Sequence, residues 1–390
     1  MNIIKQNAGI DMSKLDFTAC VCQRTSVIDD DLIISNVRKF ANTKTGFNQF
    51  IKWISKISDR NIVLSFTMEA TGVYHEQLAN HLHKLKKKVS ILLPNTVTHF
   101  AKSLNLKSKT DNIDAVTIAM MGCERKLITW EPPKLIFKKL RALSRLCRSL
   151  KGDKTRLTNR LQQLRCSFEP ISEAIQMNES NIIQLDRQIL ELENKMVEVL
   201  KTDEQTWNKV KKLETIIGVG LKTIAVILGE TNGFDLIRNQ RQLASFCGYD
   251  IVRKQSGTSV NGKQRISKKG NSHIRAAMYF PAIVAIQHNP SMRKVYDRIM
   301  QNKTAKKIGQ VAIQRRLLGL VYTLWKKDEE FVKNYNTDQI SDDQQKEDSS
   351  TLSTRRVEQI PYETKVDELL SSPSTQNEHL HDQASEALLR

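Results

Sequence analysis

Residues 109–115, KTDNIDA, set two carboxylates three positions apart, Asp111 and Asp114, just after a basic, threonine-bearing turn. On a helix that spacing puts both acids on one face, a turn apart. Two readings fit the pair. One is a polar helix start, with Thr110 or Asp111 as cap and an acid favoured by the positive end of the helix dipole. The other is half of a metal site. Two further acids end apolar runs: Asp11 follows NAGI and Glu69 follows VLSFTM. Phosphodiester chemistry by two magnesium ions about 3.5–4 Å apart needs several convergent carboxylates, which hold the hard cations and leave positions open for phosphate and water. Asp11, Glu69, Asp111 and Asp114 form such a set if their strands are neighbours and the helix packs across them.

The surrounding chain must therefore build a sheet. Residues 5–23 read as a strand ending near Asp11, a tight turn at Met12–Lys14 and a second strand from Leu15 to Cys22. A third strand is expected over Leu32–Phe40, a helix over Thr45–Ile57, and a fourth strand over Ile62–Met68 with Glu69 at its carboxyl end. HEQLANHLHKL has helical spacing, KVSILLPN returns to strand until Pro94 stops it, and Asn95 to Cys123 is helical with a break around Ser103–Thr110. This order predicts an α/β layered domain over residues 1–125.

Residues 126–212 turn charged and periodic. Leu143, Leu146, Leu150, Leu157, Leu161 and Leu164, then Ile182, Leu185, Ile189, Leu192, Met196 and Val199, recur at steps of three, four and seven. That pattern predicts a coiled coil or helical hairpin with its turn around Pro170–Ser180, its stripes serving as core or dimer seam. Residues 213–335 read as a mostly helical domain. Residues 336–390 are polar, acidic and expected to form a disordered tail.

Charge names a class of partner. The formal net charge is +19, and because residues 336–390 hold five basic against twelve acidic side chains, residues 1–335 carry +26. A body this basic attracts a polyanion, nucleic acid first and an anionic membrane surface second. No apolar run reaches the roughly 20 residues that span a bilayer, and the N-terminus has no basic-then-apolar leader pattern, so a cytoplasmic protein is expected. Cys20, Cys22, Cys123, Cys147, Cys166 and Cys247 form no CxxC pair and are expected to be reduced and structural.

In the second half, LETIIGVGLKTIAVIL predicts two helices joined by a glycine turn at Gly218–Gly220. Such a turn can present backbone N–H groups, with Lys222 nearby, to a phosphate, or it can be an ordinary packed turn. The stretch from QLASFCGY to HIRAAMY is rich in Gly, Ser, Lys and Arg. It reads as a loop gripping a nucleic-acid backbone through Arg253, Lys254, Lys263, Arg265, Lys268, Lys269 and Arg275. It also holds Ser256, Ser259, Ser267 and Ser272, and nothing in the residues selects one of them as a nucleophile.

GIDMSK at 9–14, MEATGVY at 68–74, LLPN at 92–95 and KTDNIDA at 109–115 occur in the order and spacing of the DEDD-type transposases of bacterial insertion sequences, and the chain resembles that family. The family includes site-specific invertases of pilin genes and recombinases guided by a bridge RNA. IIGVGLKTIAVILGE, QLASFCGY, QSG, RISKKGNSHIRAAMY and NPSMRKVYDRI extend the resemblance to about residue 330. A departure is GYDIVRKQSG, which lacks the proline that commonly follows GL or GY. The resemblance implies an RuvC-like ribonuclease H fold for the N-terminal domain, with Asp11, Glu69, Asp111 and Asp114 as magnesium ligands. It implies Ser256, in QSG, as the nucleophile that becomes linked to a DNA end; Lys109, just ahead of Asp111 in KTDNIDA, reads as the approach to the acids. It also implies DNA as partner and a guide RNA, which no stacking-aromatic module in the sequence supports. The long periodic helices add a homo-oligomer, dimer or tetramer. Two rivals remain at this level: a structure-selective nuclease using metal-activated water, and an architectural DNA-binding protein without catalysis.

Overall fold

The protein is described from a computed structural model, which covers residues 2–25, 31–106, 108, 110–235, 237–252, 265–301 and 303–332, with backbone alone at 255–256 and 260–261. The expected tail at 336–390 lies outside the described residues, as do Lys109, Arg253, Lys254 and Lys263. The chain divides into two compact units, one ending at Pro132 and the other starting at Pro133.

The first unit is a mixed α/β sheet domain. Its sheet contains β1 (Lys5–Met12), β2 (Asp16–Arg24), β3 (Leu32–Ile34), β4 (Arg38–Ala41), β5 (Leu64–Glu69) and β6 (Lys88–Leu92). The order is β3-β2-β1-β5-β6, with β4 also on β2. The pairs β1–β2, β2–β3 and β2–β4 are antiparallel; β1–β5 and β5–β6 are parallel. Parallel neighbours need crossover connections, supplied by α1 (Lys44–Ile57) and α2 (Glu76–Lys84). Thr43 caps α1, its side chain accepting from the Gly46 amide.

The single strand expected over Leu32–Phe40 is two strands. Ser35 causes the break: its amide donates to the Val21 carbonyl, 2.9 Å, while its hydroxyl accepts from the Val21 amide, 2.9 Å, so a side chain replaces the next ladder bond. Strand period puts Ala8, Ile10, Phe17, Phe66 and Met68 on one face, where they share a core with Phe47, Phe50 and Ile54 of α1 and Leu78 and Leu82 of α2. The opposite face meets α4 (Asp111–Glu124), which follows α3 (Pro94–Ser103); Cys20 and Cys22 pack there against Ala115, Ile118 and Ala119. All six cysteines are free of disulfides, and Cys166 alone among them is exposed.

The second unit is mostly helical. The helices α5 (Leu135–Arg165) and α6 (Ser172–Lys201) form a hairpin whose turn lies at 166–171, N-terminal to most of the expected stretch, because Pro170 sits ahead of α6 and Ser180 inside it. Then come α7 (Glu204–Glu214), α8 (Leu221–Thr231), α9 (Gln240–Phe246), α10 (Ser272–Ala277), α11 (Tyr279–His288), α12 (Pro290–Met300) and α13 (Lys306–Lys327). One apolar core joins Leu140 and Cys147 of α5, Met196 and Leu200 of α6, Ile224 and Leu228 of α8, and Leu317 and Val321 of α13. Among the described residues, no helix is long and apolar enough to cross a membrane.

Candidate functional site

The four acids are positioned by three elements, β1, β5 and α4. The β1–β5 register pairs Gly9 with Thr67 and Ile10 with Met68, so one residue on, Asp11 and Glu69 leave adjacent parallel strands at the same edge. They share a face with Asn7 and Thr67, which the Asn7 Nδ2 donation to Thr67 Oγ1, 2.9 Å, ties together. That is the face α4 covers.

Two glycines define how α4 lies on it. A Cβ at Gly122 would stand 2.1 Å from Asn7 Cγ, and a Cβ at Gly9 would stand 2.3 Å from the Ala115 carbonyl oxygen and 2.2 Å from the Ala119 amide nitrogen. The helix therefore runs antiparallel to β1, its later turns over Asn7 and its earlier ones over Gly9. From Ala115 back to Asp111 is about 6 Å along the helix, and from Gly9 on to Asp11 about 6.6 Å along the strand. The first turn of α4 thus arrives level with Asp11. Thr110 is the cap of that helix, accepting from the Ile113 amide at 3.3 Å, so the capping reading of Asp111 falls away. Asp11, Glu69 and Asp114 are half-buried and Asp111 is exposed.

The structure brings four carboxylates to one sheet edge without closing them into a ligand shell: among the described residues, no three His, Cys, Asp or Glu side chains stand as a group that could hold a metal ion. Chemically the set fits magnesium. All four are hard oxygen donors, and no thiol or imidazole intrudes on the strand positions that carry them.

In the second unit, the stretch read as a loop holds two separate two-stranded ribbons. β7 (Ile251–Val252) pairs with β10 (Arg265–Ile266) at the base of the stretch, and β8 (Gln255–Ser256) pairs with β9 (Val260–Asn261) between them in sequence, with Ser256 opposite Val260. Ser256 is followed in sequence by residues 257–259, which lie outside the described residues. The base is anchored: Tyr249 Oη donates to Gln314 Oε1 at 2.9 Å, and Ser267 Oγ to Asp250 Oδ1 at 2.6 Å.

The expected DNA contacts divide. Arg265, Lys268 and Lys269 are exposed. Arg275 instead donates to the Cys247 and Gly270 carbonyls, 2.7 and 3.1 Å, closing the foot of the β7–β10 ribbon. Gly218 has φ +93°, and a Cβ there would stand 2.7 Å from the Pro281 carbonyl oxygen, so this glycine is required for packing. Gly220, at the start of α8, has open space where a Cβ would be. Lys222 is paired with Glu193, as is Lys151, 2.6 Å. Burial pushes the Glu193 carboxyl up, and the two ammonium groups outweigh it, leaving its pKa below the usual range.

Sequence reasoning missed the network behind the β7–β10 ribbon. Glu230, 2% exposed, accepts from Arg145 Nε at 2.8 Å, from Arg145 Nη2 at 3.0 Å and from Asn271 Nδ2 at 2.6 Å. Asn271 Oδ1 in turn accepts from the His273 and Ile274 amides, capping α10. The available signal is a lone acid inside the apolar run AVILGET. A buried carboxylate needs such partners to remain charged.

Comparison with known proteins follows this geometry. Residues 8–165 match the DEDD transposase family of IS110 type, and residues 210–297 match the transposase family IS116/IS110/IS902. The chain is 30% identical over 334 residues to a pilin gene-inverting protein of Moraxella lacunata, covering 84% of this chain and 98% of that one. It is 29% identical over 331 residues to the pilin gene-inverting protein of Moraxella bovis, with the same two coverages. A shorter stretch of 86 residues is 33% identical to an uncharacterized 43.6 kDa protein of insertion element IS110 in Streptomyces coelicolor, covering 22% of this chain and 21% of that one.

Proposed function

The chain belongs to the IS110 family of DEDD transposases and is a DNA recombinase enzyme, and on that premise we propose that it cuts and rejoins DNA strands with Asp11, Glu69, Asp111, Asp114 and Ser256. The observation that carries the reading is the level meeting of the α4 first turn with the carboxyl ends of β1 and β5. A central β1 with an antiparallel meander on one side and parallel strands on the other supports an RuvC-like, ribonuclease H type of sheet.

The four carboxylates would hold magnesium, two ions in the fullest form. Magnesium bound there would neutralise charge on the scissile phosphate and favour departure of the leaving oxygen. Ser256 would act as the nucleophile: its Oγ forms a bond to phosphorus as one phosphodiester P–O bond breaks, so the strand end stays linked to protein and can be rejoined to another. Arg265, Lys268 and Lys269 would hold phosphates on either side.

A homo-oligomer, dimer or tetramer, joined through the α5–α6 hairpin is supported by the exposed apolar side chains Phe168, Ile171, Met177 and Ile183. Guidance by RNA is carried by the family resemblance, and sequencing nucleic acid that co-purifies with the chain tests it.

The central experiment is denaturing electrophoresis of the protein after incubation with its DNA and magnesium. A covalent protein–DNA adduct is expected in the wild type and absent in Ser256→Ala. Full strand cleavage by Ser256→Ala without an adduct would sink the serine mechanism and leave the water-using nuclease reading.

A further inference from the structure

We infer that the second unit carries a pocket for one unstacked nucleotide, walled by α5, α6 and α8 and by the corner where α10 meets α11. This rests on the recombinase reading and deepens it. Nothing about the acid edge or Ser256 requires the pocket.

The cavity measures about 300 Å³, the low end of the roughly 300–1,000 Å³ of ligand pockets, which suits one base and not a stacked run. Its lining is apolar along Cys147, Met196, Val226 and Pro281 and cationic at Arg148, Lys151 and Lys222. Glu193 is the acid among the lining residues and pairs with both lysines, so three cations stand against one carboxylate.

Phe280, also in the lining, is 72% exposed and meets the partly exposed Tyr279 edge to face, 5.2 Å between ring centroids. Two adjacent exposed rings thus stand at a cavity that is also lined by cations. A ring that receives a base, with cations that receive its flanking phosphates, is the combination by which proteins hold single strands. A base inside a duplex is covered by its neighbours and cannot present a free face to Phe280, so the occupant is a base out of the stack.

His273 lines the same cavity. Its Nδ1 is buried and has no hydrogen-bond partner among the described residues. Burial first, then Arg148 and Arg145, hold the imidazole below its ordinary pKa against the opposing pull of Glu230. A neutral ring has one donor and one acceptor nitrogen, the chemistry that reads a base edge. The acidic oxygens of an aspartate-rich peptide would satisfy the cations and leave the exposed ring without a partner, and the charge and ring together favour a nucleotide.

The test uses the full chain and oligonucleotides carrying one 2-aminopurine, as unpaired deoxy strands, unpaired ribo strands and a fully paired duplex. Fluorescence of the base analogue reports its stacking, and anisotropy of a terminal dye reports affinity. Wild-type protein is expected to change the analogue's fluorescence in an unpaired strand. Phe280→Leu is expected to abolish that change and weaken single-strand binding about tenfold, with duplex affinity as the internal control. Arg148→Gln is expected to weaken the same binding without abolishing the fluorescence change. Loss confined to the deoxy strand assigns the pocket to DNA, loss confined to the ribo strand assigns it to RNA, and loss in both shows that it ignores the 2′-hydroxyl. An unchanged signal and affinity in Phe280→Leu, with duplex binding intact, would overturn the pocket alone. A wild-type chain that binds neither strand nor duplex would overturn the recombinase reading and the pocket with it.

Discussion

Gly9 of β1 lies directly beneath Ala119 of α4, so close that a Cβ at position 9 would stand 2.2 Å from the Ala119 amide nitrogen. Strand and helix backbones touch here with no side chain between them. The contact sets the height of α4 over the sheet, and with it the position of Asp111 and Asp114 relative to Asp11.

Gly9→Ala should therefore act at a distance. The three clashing atoms are all backbone, so α4 must lift, at a cost of about 3 kcal/mol or more. Urea denaturation is expected to show that loss. Strand cleavage is expected to fall further than stability alone explains, because the acids no longer meet level. A variant with wild-type stability and cleavage would contradict the packing.

Asp11→Asn and Asp114→Asn should each reduce strand cleavage by at least about 10²–10³-fold, the equivalent of the several kcal/mol a bound metal contributes to a developing charge. Binding of DNA, measured by anisotropy, is expected to change little. The architectural reading predicts no change in either variant, so the pair of measurements separates the two.

Glu230 links stability to pH. Burial raises its pKa, but the bonds from Arg145 and Asn271 outweigh burial and leave it below the usual carboxylate value. A depressed folded pKa means the unfolded chain takes up the proton first. The stabilisation is complete above the unfolded value, about 4.3, and is lost as pH falls through the folded one. Glu230→Gln is expected to cost about 2–3 kcal/mol at pH 7 and to flatten the loss of stability between pH 5 and 3. Denaturant titrations at several pH values check this, and an equally steep acid slope in the variant would count against it.

DNA affinity should fall steeply with salt. With six phosphates neutralised, log affinity against log salt has a slope of about −5, and Lys269→Gln should reduce its magnitude by about one across all sequences tested. A slope unchanged by Lys269→Gln would remove that lysine from the phosphate contacts.

The end of β1, expected near Asp11 and found one residue on at Met12, and the start of α4 at Asp111 are legible in the sequence because apolar alternation and a threonine cap are local signals. The direction in which α4 crosses β1 is not, because Gly9 and Gly122 look like any other glycines until their partners are known. Lys222 reads as a phosphate ligand from its place after Gly220. Its pairing with Glu193 of α6 comes from interhelical packing that no spacing encodes. Ser35 splits one expected strand through a hydroxyl bond to a neighbouring strand's amide, a contact that alternation alone does not register.

Asp11 and Asp111 stand a hundred positions apart, and the sheet edge that carries them depends on a parallel pairing of β1 with β5 and on α4 arriving last. Non-local pairings form slowly, and a chain growing from its N-terminus makes β1 and β2 long before α4 exists. The acid edge is therefore completed only near the end of this unit's synthesis. A nascent chain that has not yet released α4 carries Asp11 and Glu69 without Asp111 and Asp114, which delays any cutting activity until the fold around it is finished.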